Sequence, residues 1–272
     1  MEIHFIDVGC GNMTLVIMPH GTVICCDCNI TEENQERVLR YVKTVIGAGK
    51  PITVFICTHR EADHIRGIQL LHAQHTIKEI WDAGVPGPLT ESDEYRAYLE
   101  LRGRVTAREI GPRKFWEYGD ALLRCLNAKW NNYNDPDEQS LVLKIQYKES
   151  SAMLAGDSSY RPWKEKILTY YAEEDLKSSI LLASHHGSAR FFDDPADEER
   201  FYSAHIKKIR PEMTLISVGQ NGQELPDPRA IELYEEYSTG SNKGKKIYTT
   251  QEKGTMKLGL HDDGTWSLAT NQ

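Results

Sequence analysis

The sequence predicts an α/β protein of two stacked β-sheets with helices on the outside. Three observations carry that expectation. The layout has two halves, and each opens with antiparallel-type strands before moving to strand–helix units. In both halves, residues of metal-ligand type fall just after apolar strands, at the edge where ligands collect in layered α/β proteins. No linker, low-complexity stretch or fixed-period repeat divides the 272 residues, so one domain over 1–272 is expected.

Residues 3–8 and 13–18 alternate around Gly9-Cys10-Gly11-Asn12, a turn signal between two strands. Pro19-His20-Gly21 turns the chain into a third strand, Thr22 to Cys26, ending at Asp27. Over 31–46, Val38, Leu39, Tyr41, Val42 and Val45 recur at helical spacing, and Gly47 and Gly49 end the helix. Ile52 to Cys57 is β-branched, aromatic and uncharged, a buried strand. A short helix over Ile65–Leu71, a strand over Ile77–Trp81, a helix over 90–103 and a strand over Arg104–Ile110 follow. Trp130 to Gln139 is rich in Asn and Asp and reads as a loop. Strands are expected at 140–147, 151–154, 180–183, 213–218 and 247–249, and helices at 160–176, 195–209 and 228–237. A hairpin around Asp262-Asp263-Gly264 closes the chain.

Composition narrows the function. Apolar residues make up 40% and charged residues 26%, the balance of a globular protein, and no stretch approaches the roughly 20 apolar residues of a membrane span. The first nine residues read as a strand and not as a signal peptide, so a cytoplasmic location and no membrane partner are expected. A net charge of −8 argues against a broad, non-specific nucleic-acid surface. It leaves room for an acidic metal site whose ions supply the positive field. Lys243-Gly244-Lys245-Lys246 reads as a solvated loop. Cys25-Cys26-Asp27-Cys28 has no second paired cluster to make a zinc knuckle, so the six cysteines read as buried thiols in a reducing compartment.

Three strand ends carry the chemistry. Thr58-His59-Arg60-Glu61-Ala62-Asp63-His64 places four metal-ligand types within six residues directly after a strand. Imidazole with carboxylate suits Zn²⁺, Mn²⁺ or Fe, and two ions can sit side by side where a carboxylate bridges them. Asp157 follows Gly156, whose backbone freedom permits a sharp exit from the strand; Asp157 is either a bridging carboxylate or the cap of the next helix. His185-His186-Gly187-Ser188 follows Ile180–Ala183, and adjacent histidines point in different directions, so one can ligate while the other faces a substrate.

These residues resemble the metallo-β-lactamase fold superfamily, and within it the stand-alone relatives of the hydrolase domain of the bacterial DNA-uptake (competence) channel protein. Phosphorylcholine esterases share the pattern. The matching stretches are Phe5 to Asn12, Ile24-Cys25-Cys26-Asp27, the Thr58–His64 motif, Ser140–Leu143 leading to Gly156-Asp157, His185-His186-Gly187-Ser188, and Ile216 to Asn221 with Pro226 and Pro228. The resemblance implies a four-layer αββα sandwich. It implies a binuclear site, of Zn²⁺ or Mn²⁺: His59 and Glu61 on one ion, Asp63, His64 and His186 on the other, and Asp157 between them. It implies a metal-bound hydroxide as nucleophile, with Asp63 and His185 at the reaction and His185 facing the substrate.

The chain departs from the family pattern at three positions. Glu61 replaces Asp or His, Asn12 replaces Asp, and Glu224-Leu225-Pro226 replaces Gly-His-Pro. Leu225 cannot ligate, so the ion on His59 and Glu61 is expected to be labile, with Glu224 or Asn221 as candidate substitutes. The expected function is a metal-dependent phosphodiesterase or nuclease with a nucleic-acid or nucleotide substrate. The alternatives are a carboxylic ester, lactone or amide hydrolase, and a non-catalytic binding module that keeps the fold. The acidic balance with Trp116, Tyr118, Trp130 and Tyr133 favours a small or single-stranded substrate over a duplex, although these aromatics read more readily as core or loop packing.

Overall fold

The computed structural model describes residues 1–84, 92–127, 135–193, 201–219, 224–240 and 246–270. Trp130 to Asn134, the start of the expected 195–209 helix, Asn221 and most of the Lys243–Lys246 run lie outside the described residues.

The strands are β1 (Glu2–Phe5), β2 (Thr14–Ile17), β3 (Val23–Cys26), the two-residue β4 (Cys28–Asn29), β5 (Ile52–Ile56), β6 (Ile77–Asp82), β7 (Thr106–Glu109) and β8 (Lys114–Tyr118). The second half adds β9 (Ala121–Cys125), β10 (Leu143–Tyr147), β11 (Ser150–Leu154), β12 (Ile180–Leu182), β13 (Met213–Ile216), β14 (Ile247–Thr249), β15 (Met256–Leu260) and β16 (Trp266–Thr270). One sheet runs β16-β15-β1-β2-β3-β5-β6-β7 and the other β14-β13-β12-β11-β10-β9-β8. Each sheet is antiparallel at one end and parallel at the other: β3, β5, β6 and β7 in the first, β11 to β14 in the second.

The expected sandwich is what forms, because strand alternation gives each sheet two apolar faces. The inner faces meet through Phe5, Val16, Ile24 and Ile56 from one sheet and Leu123, Leu143, Leu154 and Leu215 from the other. The outer face of the first sheet is covered by helices Gln35–Ile46 and Asp93–Arg102, which bury Val38, Val42, Tyr95 and Tyr98. The outer face of the second packs on Trp163, Phe191, Ile206 and Tyr234. The layers are therefore α, β, β, α. Among the described residues no helix is long and apolar enough to cross a membrane.

Several elements differ from expectation. The first helix begins at Gln35, because Thr31 and Asn34 cap one another: Thr31 N donates to Asn34 Oδ1 at 2.9 Å and Asn34 N to Thr31 Oγ1 at 3.3 Å. The Ile65–Leu71 helix is two, Ala62–Ile65 and Ile68–Gln74, broken where Arg66 is extended and Gly67 left-handed. The expected 160–176 helix is one helical run over 160–170, with a π-helical stretch at Trp163–Ile167, then extended backbone at Tyr171 and Ala172 before a separate turn, Glu173–Leu176. β8 and β9 carry no strong sequence signal, since one face of β8 is exposed.

Candidate metal centre

The parallel strands aim their C-terminal ends at a common seam between the sheets. Asp27 follows β3, Thr58 to His64 follow β5, Asp157 follows β11, His185 and His186 follow β12, and Ser217 follows β13. Backbone and side-chain hydrogen bonds fix one sheet's loops against the other's. Leu141 N donates to Thr58 O at 2.9 Å, and Ser217 Oγ donates to Gly11 O at 2.7 Å. Asn12 N donates to Asp63 O at 3.1 Å, so Asn12 supports the ligand loop through its backbone while its buried Oδ1 has no partner.

At this seam His64 Nε2 lies 3.2 Å from Asp157 Oδ1, His59 Nε2 3.9 Å from Asp157 Oδ2, and His186 Nε2 3.1 Å from Asp63 Oδ2 and 3.7 Å from Asp157 Oδ2. The rings are aimed by their other nitrogens. His186 Nδ1 meets Ser217 O at 2.9 Å; a carbonyl only accepts, so Nδ1 carries the hydrogen and Nε2 offers its lone pair. His64 Nδ1 meets Asp27 Oδ2 at 2.8 Å, which leaves Nε2 the lone pair whenever the ring is neutral. Asp27 also accepts from Thr58 N at 2.8 Å and Thr58 Oγ1 at 2.7 Å, so its carboxylate ties β3 to the ligand loop.

Asp157 is placed by Gly156, whose φ of 55° turns the chain sharply off β11; a Cβ there would stand 2.3 Å from Ser140 Oγ. Its backbone N–H donates to Ser140 Oγ at 2.9 Å. The helix that follows is capped by Ser159, so the capping alternative for Asp157 does not hold. The adjacent histidines diverge as expected: both are left-handed, their rings stand 84° apart, and His185 turns its Nδ1 to within 3.3 Å of Asp137 Oδ2.

Electrostatics follow from this crowding. Burial pushes the His59 pKa down to about 3, with His64 adding to the effect. Burial works against charge on His64 and His186 too, yet Asp157 with Asp27 and Asp63 holds His64 well above its ordinary range, and Asp157 with Asp63 raises His186. Burial opposes ionisation of Asp63 and Asp157, but His64 and His186 hold both below the usual carboxylate range. Burial and Asp157 raise Asp137 to about 7, and burial, Asp137 and Asp63 raise Glu61. The pocket thus calls for positive charge among its carboxylates.

The donor set fits divalent ions. His59 Nε2, His64 Nε2 and Asp157 Oδ1 are buried and face one another; His59 Nε2 has no hydrogen-bond partner among the described residues, and His64 Nε2 and Asp157 Oδ1 stand 3.2 Å apart. Four groups have ligand atoms within 4.8 Å of one another: His59–His64–Asp157, Asp63–His64–His186, His59–Glu61–Asp137 and Asp137–Asp157–His185. All seven site residues expected from sequence, His59, Glu61, Asp63, His64, Asp157, His185 and His186, fall in these groups. Asp137 was missed, sitting in a polar run that reads only as loop.

Other expectations do not hold. Glu224 belongs to none of the four groups, and Leu225 packs on the outer apolar layer of the second sheet. Trp116 lies against Trp81 with ring centroids 4.4 Å apart and, like Tyr118, packs against the inner core, as the core-packing reading expects. The thiols are as expected: Cys25, Cys28, Cys57 and Cys125 donate to backbone carbonyls, and all six are free.

No family model matches the chain. ComE operon protein 3 of Bacillus subtilis (strain 168) is 23% identical over 98% of this chain. The chain spans 34% of that relative's length, about a third. Among solved structures, Tm1679, a metal-dependent hydrolase of the β-lactamase superfamily, is similar with a TM-score of 0.58 and 15% identity, over 96% of this chain and 100% of that one. A diphosphatase from the PhnP family is similar with a TM-score of 0.53 and 14% identity, over 96% of this chain and 98% of that one.

Proposed function

From a chain with the metallo-β-lactamase fold, we propose a metal-dependent hydrolase that cleaves phosphodiesters in a nucleic-acid or nucleotide substrate. The observation that carries it is the convergence of His59 Nε2, His64 Nε2 and Asp157 Oδ1, buried and within 4.8 Å of one another, at the seam of the sheets. Asp63, His64 and His186 would hold one ion, His59 and Glu61 would contribute to a second, and Asp157 lies between the two sets. Zn²⁺ and Mn²⁺ suit these imidazoles and carboxylates. Bound ions supply Lewis acidity and a water that ionises near neutral pH. The protein's part is orientation: Asp27 and Ser217 fix the His64 and His186 rings, and Ser140 and Gly156 fix Asp157.

His185 is the partly open histidine, with 20% of its side chain exposed and Nε2 3.9 Å from Asp157 Oδ2. Its Nδ1 makes no hydrogen bond, so the proton is free to sit on Nε2 and donate to a phosphoryl oxygen. Support for phosphorus chemistry comes from the resemblance and from the diphosphatase neighbour. The reading places the whole chain in one domain acting in the cytoplasm.

The test is hydrolysis of bis-p-nitrophenyl phosphate and of single-stranded DNA with Zn²⁺ or Mn²⁺, beside nitrocefin as the amide control. Wild type is expected to cleave the phosphodiesters, and His186→Ala and Asp157→Ala to lose on the order of 100-fold or more. A protein that retains no transition metal, or variants that match wild type, would overturn the reading.

A further inference from the structure

Leu225 leaves a position without a ligand, and the fold brings a different residue to the site. We propose that Asp137 is a protein ligand of the ion shared by His59 and Glu61, held in place by Arg190. The inference rests on the metal-centre reading above and adds to it the group that completes the weaker half.

The placement is specific. Asp137 opens a single turn, Asp137–Gln139, just before Ser140, whose hydroxyl accepts from Asp157 N. Its side chain is 3% exposed, and a ligand atom of its carboxylate lies within 4.8 Å of those of His59 and Glu61. The same carboxylate also groups with Asp157 and His185, so it stands beside both sides of the centre. An independent observation points into the same space: His59 Nε2, on a side chain 2% exposed, has no hydrogen-bond partner. A buried imidazole nitrogen facing two carboxylates and no donor is a ligand set short of its cation.

Arg190 is the positioning residue. Its Nη1 donates to Asp137 Oδ2 at 2.5 Å and its Nη2 pairs with Asp135. It follows the His185-His186 turn in the chain, so the same loop that delivers His186 also pins Asp137. One carboxylate can take an arginine and a cation together, because ionised it offers two oxygens and about four lone-pair sites. Arg190 also offsets part of the negative charge where Asp137, Glu61, Asp63 and Asp157 crowd together.

A purely structural ion pair would make Asp137 matter for stability and leave metal content alone. The experiment therefore counts ions. The full chain is saturated with Zn²⁺, dialysed, and its zinc measured by mass spectrometry, with affinities from titration calorimetry. Wild type is expected to hold two ions. Asp137→Ala is expected to hold one, its remaining affinity within about threefold of the tighter wild-type site, and Asp137→Asn to weaken the second ion about tenfold or more. Arg190→Gln is expected to weaken the same ion less, since Asp137 remains present. If Asp137→Ala misfolds by circular dichroism, Asp137→Asn decides. Asp137 variants that keep two ions at wild-type affinity overturn the proposal, and so does a wild type that holds only one. A wild type that holds none overturns the metal-centre reading itself, which separates the two failures.

Discussion

Asp27 and His64 meet side chain to side chain, Oδ2 to Nδ1 at 2.8 Å, with neither group open to solvent. Asp27 has no atom in the four ligand groups, yet it sets which nitrogen of His64 faces them. Replacing it with alanine leaves Thr58 N, Thr58 Oγ1 and His64 Nδ1 without their acceptor. Asp27→Ala is expected to weaken zinc binding about 10–100-fold and to cost about 1–3 kcal/mol of stability. Calorimetric titration with Zn²⁺ and urea unfolding check the two; an unchanged zinc affinity would mean that His64 needs no such orientation.

Gly156 tests how far the centre depends on backbone geometry. A Cβ at this left-handed position would stand 2.3 Å from Ser140 Oγ and 2.9 Å from Leu141 O. Gly156→Ala is expected to destabilise the fold by about 1–3 kcal/mol and to lower zinc affinity as well, because Asp157 is the next residue. A variant that loses stability while binding zinc normally would show that Asp157 is positioned by other contacts.

His205 gives a pH signature away from the metal centre. Its Nε2 donates to Phe191 O at 2.9 Å, its Nδ1 is unpartnered, and burial pushes its pKa down to about 3. Between that value and the ordinary histidine value of about 6.5 the unfolded chain binds a proton that the folded chain does not. This contribution is constant above about pH 6.5 and erodes as pH falls toward 3, by up to ~1.4 kcal/mol per pH unit. His205→Gln is expected to flatten the stability profile between pH 6.5 and 5 relative to wild type, read by urea unfolding at each pH. Parallel profiles would show that His205 is protonated in the fold.

The thiols make a fourth case. Cys25, Cys26, Cys28, Cys57 and Cys125 are buried, and burial holds each thiol above its ordinary pKa; Cys10 is partly open, and burial with Asp63 raises it as well. Ellman's reagent on native protein is expected to modify at most Cys10 within minutes, and all six cysteines after denaturation. Rapid native labelling of several thiols would contradict this packing.

Most of the centre was legible in the chain because local patterns announce it. Ile52–Ile56 and Ile180–Leu182 are runs too short for helices, and the residues after them supply most of the candidate ligands. Asp137 was not legible for a physical reason. Nothing local distinguishes it from Asp135, and its place is set by Arg190, 53 residues later, and by the packing of the second sheet on the first. Leu225 is the converse case: a missing histidine is visible in a motif, whereas the carboxylate proposed to take its part arrives from another loop and is visible only in three dimensions. The break at Tyr171 and Ala172 was hidden likewise, since the helical spacing on either side continues through it.

The candidate ligands do not belong to one sheet. Asp63 and His64 hang from the first, Asp157 and His186 from the second, and Asp63 and His186 are 123 residues apart in sequence. A cation seated among them is a cross-link, joining the two layers as a disulfide would while remaining reversible. Unlike a disulfide it leaves on unfolding, so it would stabilise by mass action, about 2.7 kcal/mol at free metal roughly 100 times Kd. Metal loading and the cohesion of the sandwich are then one thermodynamic quantity, and a chelator acts on the architecture as directly as on the chemistry.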